Sequence, residues 1–136
     1  MAKAGDCFVA TFTTPSQLGW GEYRKTHTRE RRPNECYIPI RAEFARRFEL
    51  YNANVAEGLG NNIFNAYSID GMFRDVLKMQ GCSKAGDIKA KNISVEGNLT
   101  GLYNWFQANA AQVGDQVELY WETNTTIRLT FISRHN

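Results

Sequence analysis

The chain has 136 residues, of which 43% are hydrophobic and 12% aromatic, and its formal net charge is +2. That length suits a single domain over residues 1–136, and that apolar content can build a real core, which excludes a disordered chain. Uncharged apolar runs are strand-sized, which excludes a membrane-spanning helix, and the first residues lack a signal-peptide core, so the cytoplasm is the expected location.

Three cysteines, Cys7, Cys36 and Cys82, are odd in number and widely spaced. Without a CxxC pair they support neither a disulfide framework nor a zinc knuckle. Cys7 and Cys36 stand in apolar, strand-like surroundings, where a thiol acts as a small buried side chain. Two glycosylation sequons, at Asn98 and Asn124, are read as accidental because no secretion signal accompanies them.

In chain order, residues 5–14 read as a first strand. Residues 18–40, LGWGEYRKTHTRERRPNECYIPI, form a long connection that ends in a second strand at 36–40. Residues 41–50 place Phe44, Ala45 and Phe48 on one helical face. Residues 52–62, with Gly58, Gly60, Asn61 and Asn62, read as the loosest loop. Segments 63–69 and 72–79 flank Asp70-Gly71, a hairpin signal because both residues tolerate positive φ. Residues 80–87, QGCSKAGD, are rich in turn formers, and 88–95 reads as the next strand. Leu99, Leu102, Tyr103, Phe106 and Ala110 make a helical stripe with Asn98 as N-cap. Gly114-Asp115 then turns the chain into a last hairpin, in which Val117, Leu119 and Trp121 alternate with polar residues, as do Ile127, Leu129 and Phe131. The expected fold is mainly β, an open pseudobarrel of about seven strands with two short helices. Phe44, Phe48, Leu102, Tyr103, Phe106 and Trp121 are the expected core.

Charge is concentrated on the first connection. Between residues 23 and 32, Arg24, Lys25, Arg29, Arg31 and Arg32 face only Glu30, a local net of +4 that leaves −2 for the rest of the chain. A basic loop on a near-neutral domain has the composition of a phosphate-binding arm. Arginine's planar fork suits both phosphate oxygens and the guanine edge, and Asn34 and Gln17 suit adenine. Trp20, Tyr23, His27 and Thr28 add aromatic and polar contacts. A second basic set, Arg74, Lys78, Lys84, Lys89 and Lys91 against Asp75 and Asp87, surrounds the 80–87 turn. There Gln80, Ser83, Lys84 and Asp87 are expected at or near the tip of a second arm.

Catalytic signals are thin. His27 lies in the basic connection, and His135, the penultimate residue, stands where order is least expected. No metal-ligand spacing, phosphate-binding glycine loop or GxSxG elbow occurs. Glu118 and Glu122 read as surface charges. Cys82 near Lys84 has no histidine beside it in sequence to make it a nucleophile. No cofactor is implied.

LGWG (18–21), RERRPNE (29–35) and CYIPI (36–40) together resemble the B3-like DNA-recognition domain that accompanies phospholipase D-like nuclease domains in restriction endonucleases. NLTGLYNWF (98–106), the following Gly-Asp and VELYW (117–121) are similar to the end of the plant B3 domain. The resemblance implies a seven-stranded pseudobarrel that grips the major groove of double-stranded DNA with two arms, one after the first strand and one between the fourth and fifth. It implies Trp20, Tyr23, Arg24, Lys25, His27, Thr28, Arg29, Arg31, Arg32 and Asn34 on the first arm. Gln80, Ser83, Lys84, Asp87, Lys89 and Lys91 belong to the second. The His-x-Lys motif of the nuclease is absent, since Thr28 and Arg29 follow His27, so a nuclease domain in the same or a separate chain is the expected partner. Two alternatives stand beside this reading. One is a small metal-dependent nuclease. The other is a single-strand binder of the oligonucleotide-binding barrel type, with Trp20, Tyr23 and Tyr37 as stacking platforms.

Overall fold

Segments of apolar–polar alternation pair into one sheet in the computed structural model, which describes residues 2–19, 34–52, 57–81 and 86–135. Its elements are β1 (Cys7–Thr11), β2 (Ile38–Pro39), α1 (Ala42–Arg47), β3 (Ile63–Ser68), β4 (Arg74–Gln80), β5 (Asn92–Val95), α2 (Tyr103–Ala108), β6 (Gln116–Trp121) and β7 (Thr126–Ile132). The seven strands lie in the order β1-β6-β7-β3-β4-β5-β2. Neighbours are antiparallel except β3 and β7, which pair in parallel from Asn65 opposite Thr126 to Ser68 opposite Leu129. The edge strands β1 and β2 approach within 8 Å, so the sheet curls into a nearly closed barrel. The fold is mainly β, an open pseudobarrel with two short helices.

Period-2 alternation sends one face of each strand inward. Phe8, Ala10, Phe64, Ala66, Leu77, Met79, Ile93, Val95, Val117, Leu119, Trp121, Ile127 and Leu129 are all buried there. The helices close the two ends. Phe44 and Phe48 of the α1 segment stack on Phe8 with ring centroids 5.1 and 6.0 Å away. Glu43 in the first turn of α1 and Arg46 and Arg47 in the last complement its dipole. At the opposite end of β1, Phe106 of α2 meets Phe12 edge-on at 5.1 Å, and Trp105 meets Phe131 at 5.7 Å. The expected core is therefore buried at Leu102, Phe106 and Trp121, and half-buried but packed on it at Phe44, Phe48 and Tyr103.

Four local expectations need correction. The second helix starts at Tyr103, not at Leu99. The Asn98 side chain accepts the Thr100 N–H at 3.2 Å and its hydroxyl at 2.9 Å, so it closes a turn two residues on instead of capping a helix. Leu99 is consequently exposed, Ala110 takes a left-handed φ of 49°, and Trp105 joins the core in their place. The Asp70-Gly71 connection is longer than two residues, because β3 ends at Ser68 and β4 begins at Arg74. Asp70 gathers that turn onto α2: it accepts from the Ser68 hydroxyl, from the Met72 N–H at 2.9 Å and from the Trp105 indole N–H at 2.9 Å. Of residues 52–62, Asn52 and Asn62 are buried, the reverse of a loose loop, and 53–56 lie outside the described residues. The strand read over 88–95 is regular only from Asn92, with Lys89 bridging Tyr51 before it.

His135, expected to be loose, is tied down. Its Nδ1 lies 2.9 Å from an oxygen of buried Asp115, which also accepts the Arg134 N–H at 2.7 Å and the Gln112 N–H at 2.9 Å. Burial pushes the Asp115 carboxyl up, but these donors outweigh it and hold the group below its ordinary value. A carboxyl lowered in the folded state stabilises the fold above its unfolded pKa, about 3.9, and that contribution disappears as pH falls through the folded value. Denaturant melts from pH 7 down to pH 2 should therefore lose stability below about pH 4, and Asp115→Asn should be less stable at neutral pH with a flatter acid limb. An unchanged acid limb in that variant would show the carboxylate to be energetically idle. Phe106 is fully buried against Phe12, and Phe106→Ala should cost about 3–5 kcal/mol in the same melts.

Candidate nucleic-acid interface

The first basic connection leaves β1 through a short 3-10 helix, Pro15–Leu18. Gln17 is buried there: its Oε1 accepts the Thr13 N–H at 2.8 Å and the Thr14 N–H at 3.4 Å, and its Nε2 donates to the Thr13 hydroxyl at 3.0 Å. Its carboxamide is thus engaged by Thr13 and Thr14 of the same chain, through their backbone N–H groups and the Thr13 hydroxyl, which corrects the idea that it reads adenine. Gly19 follows with φ 85°, and a Cβ at that position would sit 2.9 Å from the Tyr103 ring and 3.2 Å from the Asn34 carbonyl oxygen. The point where the connection departs therefore touches the point where it returns. Asn34 takes a left-handed φ of 67°, which asparagine tolerates, and it is exposed. The return is fixed by the Cys36 N–H donating to Leu99 O at 3.0 Å and the Tyr37 N–H donating to Gln17 O at 2.9 Å. Trp20, Tyr23, Arg24, Lys25, His27, Thr28, Arg29, Arg31 and Arg32 lie outside the described residues.

The second connection, between β4 and β5, also has a closed root. Gln80 is the last residue of β4, opposite Asn92 of β5. The Lys91 N–H donates to Gln80 O at 2.9 Å, and the Ile40 N–H donates to Lys91 O at 2.9 Å, so the end of β2 joins the same corner. Buried Asn52 spans the opening: its Nδ2 donates to Gly81 O at 3.1 Å and to Asp87 O at 2.7 Å. Asp87 accepts the Lys89 N–H at 3.0 Å and stands 3.8 Å from the Lys91 ammonium. The Lys89 ammonium lies 5.0 Å over the Tyr51 ring, whose hydroxyl donates to Glu49 at 3.1 Å.

Gln80 and Asp87 therefore sit at the base of this connection, not near a tip, because strand pairing and the Asn52 bridge close it at Gly81 and Asp87. Ser83 and Lys84 lie outside the described residues. Two members of the second basic set are also engaged elsewhere. Lys78 pairs with Glu57 at 2.5 Å. Arg74, at the far end of β4, lies over Tyr67 at 5.4 Å on the outer face of the sheet. Beside it, Arg128 lies over Tyr120 at 4.6 Å and pairs with Glu122. Sequence reading missed Asn52, Tyr51 and Tyr103 as root-builders. No local pattern could reveal them: Asn52 reaches carbonyls 29 and 35 residues away.

The two roots lie at opposite ends of β2. The first closes at Tyr37, just before it, and the second at Ile40, just after it. Three residue steps from Tyr37 to Ile40 span about 10 Å of extended chain. Among the described residues, no three or more His, Cys, Asp or Glu side chains are grouped so as to hold a metal ion. No helix among them is long and apolar enough to cross a membrane.

No family model matches the chain, and neither a curated protein nor a solved structure matches it. The crowding at Gly19 gives a direct check on the first root: Gly19→Ala should lower stability by more than about 1–2 kcal/mol, the cost of the left-handed backbone alone. A loss no larger than that backbone cost would show that departure and return are not packed together.

Proposed function

We propose that the chain binds double-stranded DNA sequence-specifically, gripping the major groove with two arms, and serves as the target-recognition domain of a restriction endonuclease. The observation that carries this reading is the pair of closed roots at the two ends of β2. Each root bears a basic connection, and about 10 Å of extended chain separates them, comparable with the width of the major groove at about 12 Å. Two arms at that spacing enter one groove from either side. The arms fall after the first strand and between the fourth and fifth, where the B3-like resemblance of 18–40 would have them, and this agreement supports the reading.

The division of labour follows from chemistry. Arg24, Lys25, Arg29, Arg31 and Arg32 supply charge for phosphates and forks for guanine. Lys89 and Lys91 contribute at the second root, where Asp87 and Tyr51 already hold their ammonium groups. Binding of this kind requires only charge, shape and hydrogen-bond donors, so no cofactor enters. Cutting belongs to a nuclease domain in the same or a separate chain.

Duplex binding should be steeply salt-dependent. Neutralising about five to eight phosphates gives a slope of roughly −5 to −7 in log K against log salt. Replacing Arg29 and Arg31 together by alanine should make that slope shallower by about two, since each lost phosphate contact removes about 0.9. Titrations of labelled duplex at several salt concentrations measure both. A slope near zero, or tighter binding to single strands than to duplex, defeats the proposal. Cleavage of plasmid by the chain with Mg²⁺ or Mn²⁺ would replace it with a metal-dependent nuclease.

A further inference from the structure

The second connection is held at its root by a side chain from elsewhere in the fold. Asn52 follows α1 in the chain and is 5% exposed. Its own N–H donates to Ile88 O at 3.0 Å, and Leu50 beside it accepts the Ala90 N–H at 3.0 Å, so the 50–52 backbone runs along the returning limb of the connection. From that platform one carboxamide nitrogen donates to both limbs, to Gly81 O at 3.1 Å on the way out and to Asp87 O at 2.7 Å on the way back. Two carbonyl oxygens bound to one nitrogen lie within about 6 Å of each other, so this side chain sets the width of the opening.

The residue type is specific to the task. A primary carboxamide donates two hydrogens from one atom. Aspartate has the same shape but donates neither, and its charge would face two carbonyl oxygens. Serine donates one. Glutamine carries the same group one methylene further out. The rest of the root is similarly tight: Gly81 has φ 86°, and a Cβ there would sit 2.8 Å from the Asn92 side chain.

We infer that Asn52 is a positioning residue for base recognition: by bridging Gly81 O and Asp87 O, it fixes the angle and register at which the second arm enters the groove. The inference rests on the DNA-binding reading. Asn52 itself touches no base. It acts through the loop it closes, so its removal changes which bases are preferred at the positions that loop reads, while phosphate contacts made elsewhere persist.

The experiment uses the full chain. Bound duplexes are selected from a random pool with wild type. Wild type and Asn52→Asp are then compared on single-base variants of the selected site and on an unrelated duplex. The expected result is at least a tenfold loss on the selected site for Asn52→Asp, with preference flattened at one contiguous set of base positions. Affinity for the unrelated duplex and its salt slope stay as in wild type. A uniform loss on every duplex with the base profile unchanged, or no loss at all, overturns the inference. Should Asn52→Asp not fold, Gly81→Ala disturbs the same root from the other limb. It must flatten preference over one contiguous set of positions, and an unchanged profile overturns the inference equally. A wild-type chain that binds no duplex overturns the DNA-binding reading and this inference with it. A wild type that selects a site, beside a variant with the same base profile, overturns this inference alone.

Discussion

The parallel pairing of β3 with β7 is the constraint on which the rest of the structure depends. It joins two antiparallel sets, β1-β6-β7 and β3-β4-β5-β2, into one sheet. Parallel neighbours cannot be linked by a tight turn. The chain between them must therefore run out through β4 and β5, fold α2 over one end of the barrel and return through β6. The same order leaves β1 and β2 as opposite edges of the sheet, so the connection between consecutive strands has to cross from one edge to the other. Curling the sheet brings those edges within 8 Å and shortens that crossing. The connection that carries the basic cluster is therefore longer than the crossing requires, and its two ends meet because the barrel nearly closes.

Polar side chains, buried at Gln17, Asn52 and Asp115 and exposed at Asp70, fix the turns of this barrel. Gln17 holds the start of the first connection, Asn52 the limbs of the second, Asp70 the β3–β4 turn against α2, and Asp115 the approach to β6 together with the end of the chain. Gln17, Asn52 and Asp115 satisfy backbone donors or acceptors that would otherwise be left unpaired at a cost of about 1–3 kcal/mol apiece. Asp70, like Asp115, is held below the ordinary carboxylate value: burial pushes it up, but donors from Ser68, Met72, Trp105 and Asn109 win. The interior of the barrel stays apolar, and its loops are anchored at the two rims.

Charge is partitioned in the same way. Lys78, Lys89, Lys91 and Arg128 each have an acidic or aromatic partner within the fold. The proposed interface therefore depends on the Arg24–Arg32 cluster more than on the lysines of the second root. The outer face of β4, β3, β7 and β6 carries Arg74, Tyr67, Arg128 and Tyr120 as cross-strand neighbours, with each guanidinium lying over a tyrosine ring. That face is self-satisfied.

The sequence by itself determined the strand set, the fold class and the most basic segment. Alternation at Val117, Leu119 and Trp121, or at Ile127, Leu129 and Phe131, requires a face toward a core whatever the partners are, and five basic residues against Glu30 are a fact of composition. It also determined that Phe44, Phe48, Leu102 and Phe106 turn inward on two helices, because a helical period is local. Tertiary structure decided what depends on contacts between distant residues. Asn98 is a good cap by type, but it closes a turn because Leu102 and Trp105 enter the barrel end only if the helix begins later. Gln80 and Asp87 look like tip residues in a run of turn formers, yet pairing with Asn92 and the reach of Asn52 place them at the root. Gln17 has a reader's chemistry and spends it on Thr13 and Thr14. Hydrogen-bonding capacity is a property of the residue, but the partner it meets is set by the β3–β7 pairing and the closure of the sheet, and neither leaves a periodic trace in the chain.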